Sequence, residues 1–164
     1  MSDLKDRLKN IKLVLFDLDG VLLHNEQDEE RIKEITGALH DFGRRLAKYD
    51  MIVGILTARE NDAITSQLED AGNIRVLTSS LDKVSLAKKL LDEYNLECKN
   101  VFYIGDDLFD IPLLKNCAVS AAPPSARREV RRIVDYITET EKAESMLDEL
   151  CTFLIKGKEN PEGE

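Results

Sequence analysis

The chain has 164 residues, 43% of them hydrophobic, which fits one folded domain with its own core and excludes a disordered chain. Lys and Arg number 23 against 32 Asp and Glu, and the resulting formal charge of -9 disfavours nucleic acid and anionic membranes as partners. No apolar run approaches the length of a membrane span, the first ten residues lack the apolar centre of a secretion signal, and Cys98, Cys117 and Cys151 lack metal-ligand spacing, so a cytoplasmic protein with reduced thiols is expected.

Leu4, Leu8 and Ile11 predict a short helix over residues 2–10 that leads into a strand. Leu13 to Phe16 has no polar residue, as a strand covered on both faces should. Asp17 and Asp19 follow two apart, so an extended chain points both carboxylates the same way, and Gly20 lets the chain leave sharply. Two carboxylates this close repel each other and lose water, a cost that a cation, proton or ligand must offset.

Ile32, Ile35, Leu39, Phe42, Leu46 and Tyr49 then step by three and four as a helical stripe, with Gly37 and Gly43 marking a bend or a close approach. Met51 to Leu56 is the second strand, ending in Thr57, Ala58 and Arg59 before a helix over residues 60–71. Ile74 to Leu77 is the third, followed by a helix with Ser80 as N-cap and Val84, Ala87, Leu91 and Tyr94 on one face. Val101 to Ile104 is the fourth, ending in Gly105, Asp106 and Asp107, with Asp110 and Pro112 at the head of another helix. Ala118 to Ala121 is a weak fifth strand, Pro123 and Pro124 open a helix carrying Arg127, Arg128, Arg131 and Arg132, and Val134 to Ile137 is a sixth strand. Met146, Leu147, Leu150, Phe153 and Leu154 mark the last helix, with fraying expected from Lys156.

Strands alternating with helices at short connections predict a doubly wound α/β fold of three α/β/α layers, Rossmann-like, with a mainly parallel sheet. The expected division is a single domain over residues 1–156 and a flexible tail over 157–164. In such sheets the binding crevice lies at the carboxyl ends of the strands, where the polar departures fall: Asp17 and Asp19, Thr57 with Arg59, Lys83, and Asp106, Asp107 and Asp110.

Taken singly, Thr57 with Glu60 reads as a capping box and the three later aspartates as helix-start acids. Lys83 in the first turn of a helix opposes the dipole, which calls for an anion nearby, and Arg59 has the same oddity. Together they form a phosphoryl-transfer site: an aspartate attacks phosphorus, Mg²⁺ on Asp17 and Asp106 offsets carboxylate against phosphate, and Thr57 and Lys83 hold the remaining oxygens. Asp19, out on the loop, serves as acid and then base.

FDLDGVL, LTAR, the lysine of LDK and GDDLFD resemble, in that order, the four motifs of the haloacid dehalogenase superfamily. The resemblance implies Asp17 as nucleophile and Mg²⁺ ligand, Asp19 as acid/base with its carbonyl on the metal, and Thr57, with Ala58 and Arg59 beside it, as phosphate binder. It further implies Lys83 as charge stabiliser and Asp106 as metal carboxylate, with Asp107 or Asp110 supporting the metal's water shell. An aspartate at the Asp19 position resembles the phosphatases and phosphomutases of the superfamily rather than its dehalogenases.

Neither gap between the motifs has room for a cap domain, so the chain is similar to the capless branch, and phosphomutase chemistry, which uses a cap to exclude water, is disfavoured. The run from Asn100 to Thr138 resembles the 3-deoxy-D-manno-octulosonate 8-phosphate phosphatases and the nonulosonate phosphatases, which implies a small phosphorylated sugar or sugar-acid substrate and a homo-oligomer, a tetramer. HNEQDEERIKEITGALHDFG lacks that group's glycine-rich flap, and TETEKAESMLDEL stands where its glycine-rich tail would be. The rival readings are a non-catalytic module that keeps the fold for binding, and a phosphatase of a nucleotide or phosphoprotein. The four arginines read as a solvated face paired with acids, His24 as a surface flap residue and His40 as structural.

Overall fold

The computed structural model describes residues 3–70 and 73–159. The elements run α1 (Leu4–Lys9), β1 (Leu13–Asp17), α2 (Glu29–Ala47), β2 (Ile52–Leu56), α3 (Ala63–Glu69), β3 (Ile74–Leu77) and α4 (Lys83–Tyr94) in the first half. They continue with β4 (Val101–Ile104), α5 (Ile111–Asn116), β5 (Val119–Ala122), α6 (Arg128–Arg131), β6 (Tyr136–Ile137) and α7 (Ala143–Glu159).

All strand pairings are parallel and the order is β3-β2-β1-β4-β5-β6. The expected three-layer α/β/α architecture follows from β1, whose residues are all buried and alternate between the two faces. Val14 and Phe16 join the core built with α1, α2, α3 and α7, where Phe16 meets Phe42 edge-on at 5.5 Å. Leu13 and Leu15 join the core built with α4, α5 and α6. The chain winds outward from β1 to β3 and then returns to β4 on the other side of β1, so the direction of winding reverses between β1 and β4. The crevice therefore opens at the carboxyl ends of those two strands.

Several expected boundaries move, each for a local reason. The second helix runs unbroken through both glycines, and only Gly43 marks a close approach, since a Cβ there would lie 2.9 Å from Ile74 Cδ1. α3 begins at Ala63 rather than Glu60 because Asp62 and Thr65 form a capping box, and Ala71 lies outside the described residues. α4 is capped by Asp82, not Ser80, whose hydroxyl instead accepts from the Asp82 amide. Its buried face is Lys83, Leu86, Ala87 and Leu90 rather than the expected Val84 stripe, a rotation that turns Lys83 inward.

Pro123 and Pro124 precede α6 rather than opening it, and β6 is only two residues long. The last helix continues past Lys156 to Glu159, because Gly157 gives Leu8 room: a Cβ there would stand 2.5 Å from Leu8 Cβ. The Lys158 ammonium also donates to the Lys9 carbonyl at 2.9 Å. The fraying expected from Lys156 is thus absent through Glu159, and the rest of the expected tail lies outside the described residues. Among the described residues no helix is long and apolar enough to cross a membrane. The three cysteines are free.

Candidate active site

β1 delivers Asp17 buried at the centre of the crevice, where its Oδ1 accepts from the Leu18 amide at 2.9 Å. Leu18 turns into the core as the period-two reading requires, and Asp19 re-emerges half-exposed beyond it. Gly20 adopts φ +95°, and a Cβ on it would lie 1.9 Å from Asp106 Oδ2, so this glycine is needed both for its backbone and for the space it leaves. Thr57, buried directly after β2, is no helix cap; its hydroxyl accepts from the Arg59 amide at 3.1 Å.

Lys83 enters from the first turn of α4 and is buried. Its ammonium donates to Asp17 Oδ1 at 2.9 Å, Asp110 Oδ1 at 2.8 Å and the Tyr103 hydroxyl at 3.2 Å, which engages all three of its protons. Tyr103 donates in turn to Asp110 Oδ1 at 2.5 Å. Asp110 Oδ2 accepts the amides of Asp106 and Asp107 at 2.9 and 3.1 Å, so four donors saturate this one carboxylate.

Environment separates the carboxyls. Burial, reinforced by the charge of Asp110, pushes Asp17 up to about 9 despite Lys83 beside it. Burial also raises Asp106, whose Oδ1 is buried without a partner among the described residues. Asp110 is buried too, but Lys83, Tyr103 and the backbone amides hold it below the ordinary carboxylate value. Lys83 stays above its ordinary value because Asp17 and Asp110 outweigh the burial that opposes its charge.

Asp17, Asp19, Thr57, Ala58, Leu81, Lys83, Asp106, Asp107, Phe109 and Asp110 line one cavity of about 130 Å³. Every expected site residue except Arg59 is therefore brought together. Arg59 sits at the edge instead, with Nε and Nη2 on Asp19 and Nη1 on Asp62, and it lines a neighbouring cleft of about 650 Å³ with Asn25, Gln27, Lys33 and Gln67. That cleft is larger but holds no comparable cluster of carboxylates; the chemistry belongs to the smaller cavity. Asp107 turns to the Leu108 amide and to Arg127.

Asp17, Asp106 and Asp110 offer oxygens within 4.8 Å of one another, a donor set suited to a hard divalent cation. The unpartnered Asp106 oxygen and the burdened Asp17 fit such an ion. Asp110 also holds Lys83 and the Gly105–Asp107 turn through its four hydrogen bonds. Tyr103 went unnoticed as a site residue. Its one signal was a hydroxyl in an otherwise apolar strand, VFYI.

A parallel sheet with acid and base groups gathered at its carboxyl edge puts these residues where open α/β sheets bind their ligands. The chain belongs to the haloacid dehalogenase-like hydrolases, whose family profile matches residues 27–150. The 3-deoxy-D-manno-octulosonate 8-phosphate phosphatase KdsC of Haemophilus influenzae is 26% identical over 159 residues, covering 94% of this chain and 88% of that one. A probable YrbI family phosphatase from Pseudomonas syringae superposes with a TM-score of 0.81 at 25% identity, covering 97% of this chain and 93% of that one. The Moraxella catarrhalis 3-deoxy-D-manno-octulosonate 8-phosphate phosphatase, solved with magnesium, phosphate and KDO, shares the fold with a TM-score of 0.80 at 22% identity, covering 98% and 94%. The enzyme is a phosphatase.

Proposed function

We propose that the protein is a cytoplasmic Mg²⁺-dependent phosphomonoesterase acting on a small phosphorylated sugar or sugar acid, of the 3-deoxy-D-manno-octulosonate 8-phosphate kind, through an aspartyl-phosphate. The observation that carries the reading is the buried Asp17–Lys83–Asp110 array beside a half-exposed Asp19. Mg²⁺ held by Asp17, Asp106 and the Asp19 carbonyl would supply charge neutralisation for the phosphate oxygens. Asp17 Oδ1 is fixed by Leu18 and Lys83, which leaves Oδ2 to attack phosphorus as the ester P–O bond breaks. Asp19 gives its proton to the departing alcohol. It then takes one from the water that cleaves the aspartyl-phosphate, freeing phosphate and restoring Asp17.

Thr57 and Lys83 orient the transferring group, and Asp110 with Tyr103 keeps Lys83 in place. Arg59 aims Asp19 from the outside. A homo-oligomer belongs to the same proposal, and light scattering tests it.

The test is phosphate release from sugar, sugar-acid, nucleotide, aryl and phosphopeptide esters, with Mg²⁺ and with chelator. Turnover of sugar-acid phosphates that chelator abolishes is the expected result. Mg²⁺ binding without turnover of any ester would favour the non-catalytic module, and a nucleotide or phosphopeptide as best substrate would overturn the metabolite assignment.

Gly20→Ala places a methyl group on the Asp106 carboxylate and strains φ. Mg²⁺ affinity by titration calorimetry is expected to fall at least about tenfold, an effect of the size seen when groups that orient ligands are disturbed. Unchanged affinity would remove Asp106 from the metal set.

A further inference from the structure

The run of arginines around α6 was expected to be a solvated face paired with acids. Among the described residues only Arg127 has a carboxylate partner, Asp107, whose Oδ1 its Nε reaches at 3.0 Å. Arg131 donates to the Ala126 carbonyl, and Arg128 and Arg132 have no side-chain partner among the described residues. All four are exposed, at the end of the chain segment that leaves the carboxyl edge of β5, which is the edge where the cavity opens.

Arg127 is tied closely to the site. Its amide donates to the Asp106 carbonyl at 2.9 Å, and its side chain holds Asp107, which lines the cavity. Buried Val130, one turn on, anchors α6 to the sheet and fixes this segment against the rim. The three cations around the cavity differ in what they have left to offer. Lys83 gives all its protons to Asp17, Asp110 and Tyr103, and Arg59 engages all three nitrogens on Asp19 and Asp62. Arg127 uses Nε alone, leaving both Nη groups without partners among the described residues. Two coplanar Nη groups match the two oxygens of a carboxylate.

Five aspartates line the cavity against one lysine, and of the two arginines at its edges only Arg127 keeps donors for an approaching anion. We propose that Arg127 is a specificity-determining residue that receives a second anionic group, a carboxylate, on the leaving portion of the substrate, with Arg128 and Arg132 adding to the attractive field. This rests on the phosphatase reading above and says which side of the site the distal end of the substrate takes.

A matched pair of esters isolates the effect: 6-phosphogluconate and sorbitol 6-phosphate share an open six-carbon chain and differ at C1, carboxylate against hydroxymethyl. The wild type is expected to favour the acid in kcat/KM. Arg127→Gln is expected to reduce that preference about tenfold, the size of one charge-assisted contact, through KM for the acid rather than kcat. Asp107→Asn serves as the comparison: if Arg127 acts only by holding Asp107, both variants lose activity equally on the two esters and the proposal fails. It fails equally if the wild type shows no preference or if Arg127→Gln leaves the preference intact. Absence of Mg²⁺-dependent turnover of every ester, aryl phosphates included, would instead remove the phosphatase reading and this proposal with it.

Discussion

Replacing Asp17 by Asn is expected to lower phosphate release by at least about 10³-fold while leaving the fold intact, because the nucleophile is lost and little volume changes. Stability gives a second readout with a definite sign. In the metal-free protein the Asp17 carboxyl is pushed from 3.8 to about 9, mainly by burial and then by the charge of Asp110. The folded state therefore holds this proton more tightly than the unfolded chain does. Its contribution is fully present below about pH 4 and is lost as pH rises toward 9. An asparagine has no such dependence. The metal-free variant should thus melt above the wild type, by a margin that widens across that window and narrows when Mg²⁺ is added to the wild type. Thermal melts at pH 5 and pH 8, with and without Mg²⁺, check this; a wild type that is the more stable at pH 8 without metal would contradict it.

Lys83→Met is expected to have the other large effect, on both stability and rate. The lysine side chain is 4% exposed and donates to both carboxyls, so its loss leaves the buried Asp110 carboxylate without its counter-charge and Asp17 without a donor. Removing one partner of such a buried array costs about 3–5 kcal/mol. Lys83 holds its proton above the ordinary value of 10.5, so its stabilisation is undiminished at pH 8 and is lost only as pH climbs through the higher folded value. Urea unfolding of the two proteins at pH 8 measures the difference. Turnover should fall by about 10²–10³-fold, as it does when a donor to the developing charge is removed. Activity within tenfold of the wild type would show that Lys83 is structural only.

How much of this was legible in the sequence differs from element to element. β1 and its two aspartates were plain, because an unbroken apolar run and a period of two fix both burial and direction. Lys83 was legible through its quarrel with the helix dipole, and the structure supplies the anions that settle it. The face of α4 was not, because its apolar residues allow more than one stripe, and the one that is buried carries Lys83 inward to Asp17. Asp110 was legible as part of the site, but its contacts there were not. Only three-dimensional contact reveals that its lone pairs go to Lys83, Tyr103 and two amides. The extent of α7 turned on Gly157 meeting Leu8, residues 149 apart in the chain, a contact that no local pattern encodes.

The place of β1 in the sheet bears on how the molecule opens under thermal agitation. The outermost strands are β3 and the two-residue β6, and each gives up one ladder of hydrogen bonds to open. β1 lies inside, paired from Leu13 to Asp17 with β2 and from Leu13 to Phe16 with β4. Transient unzipping at either margin leaves the attacking carboxylate anchored, so its backbone amides belong among the slowest to exchange with solvent. The margins are then free to loosen, and to drift in sequence, without disturbing the strand on which the chemistry hangs.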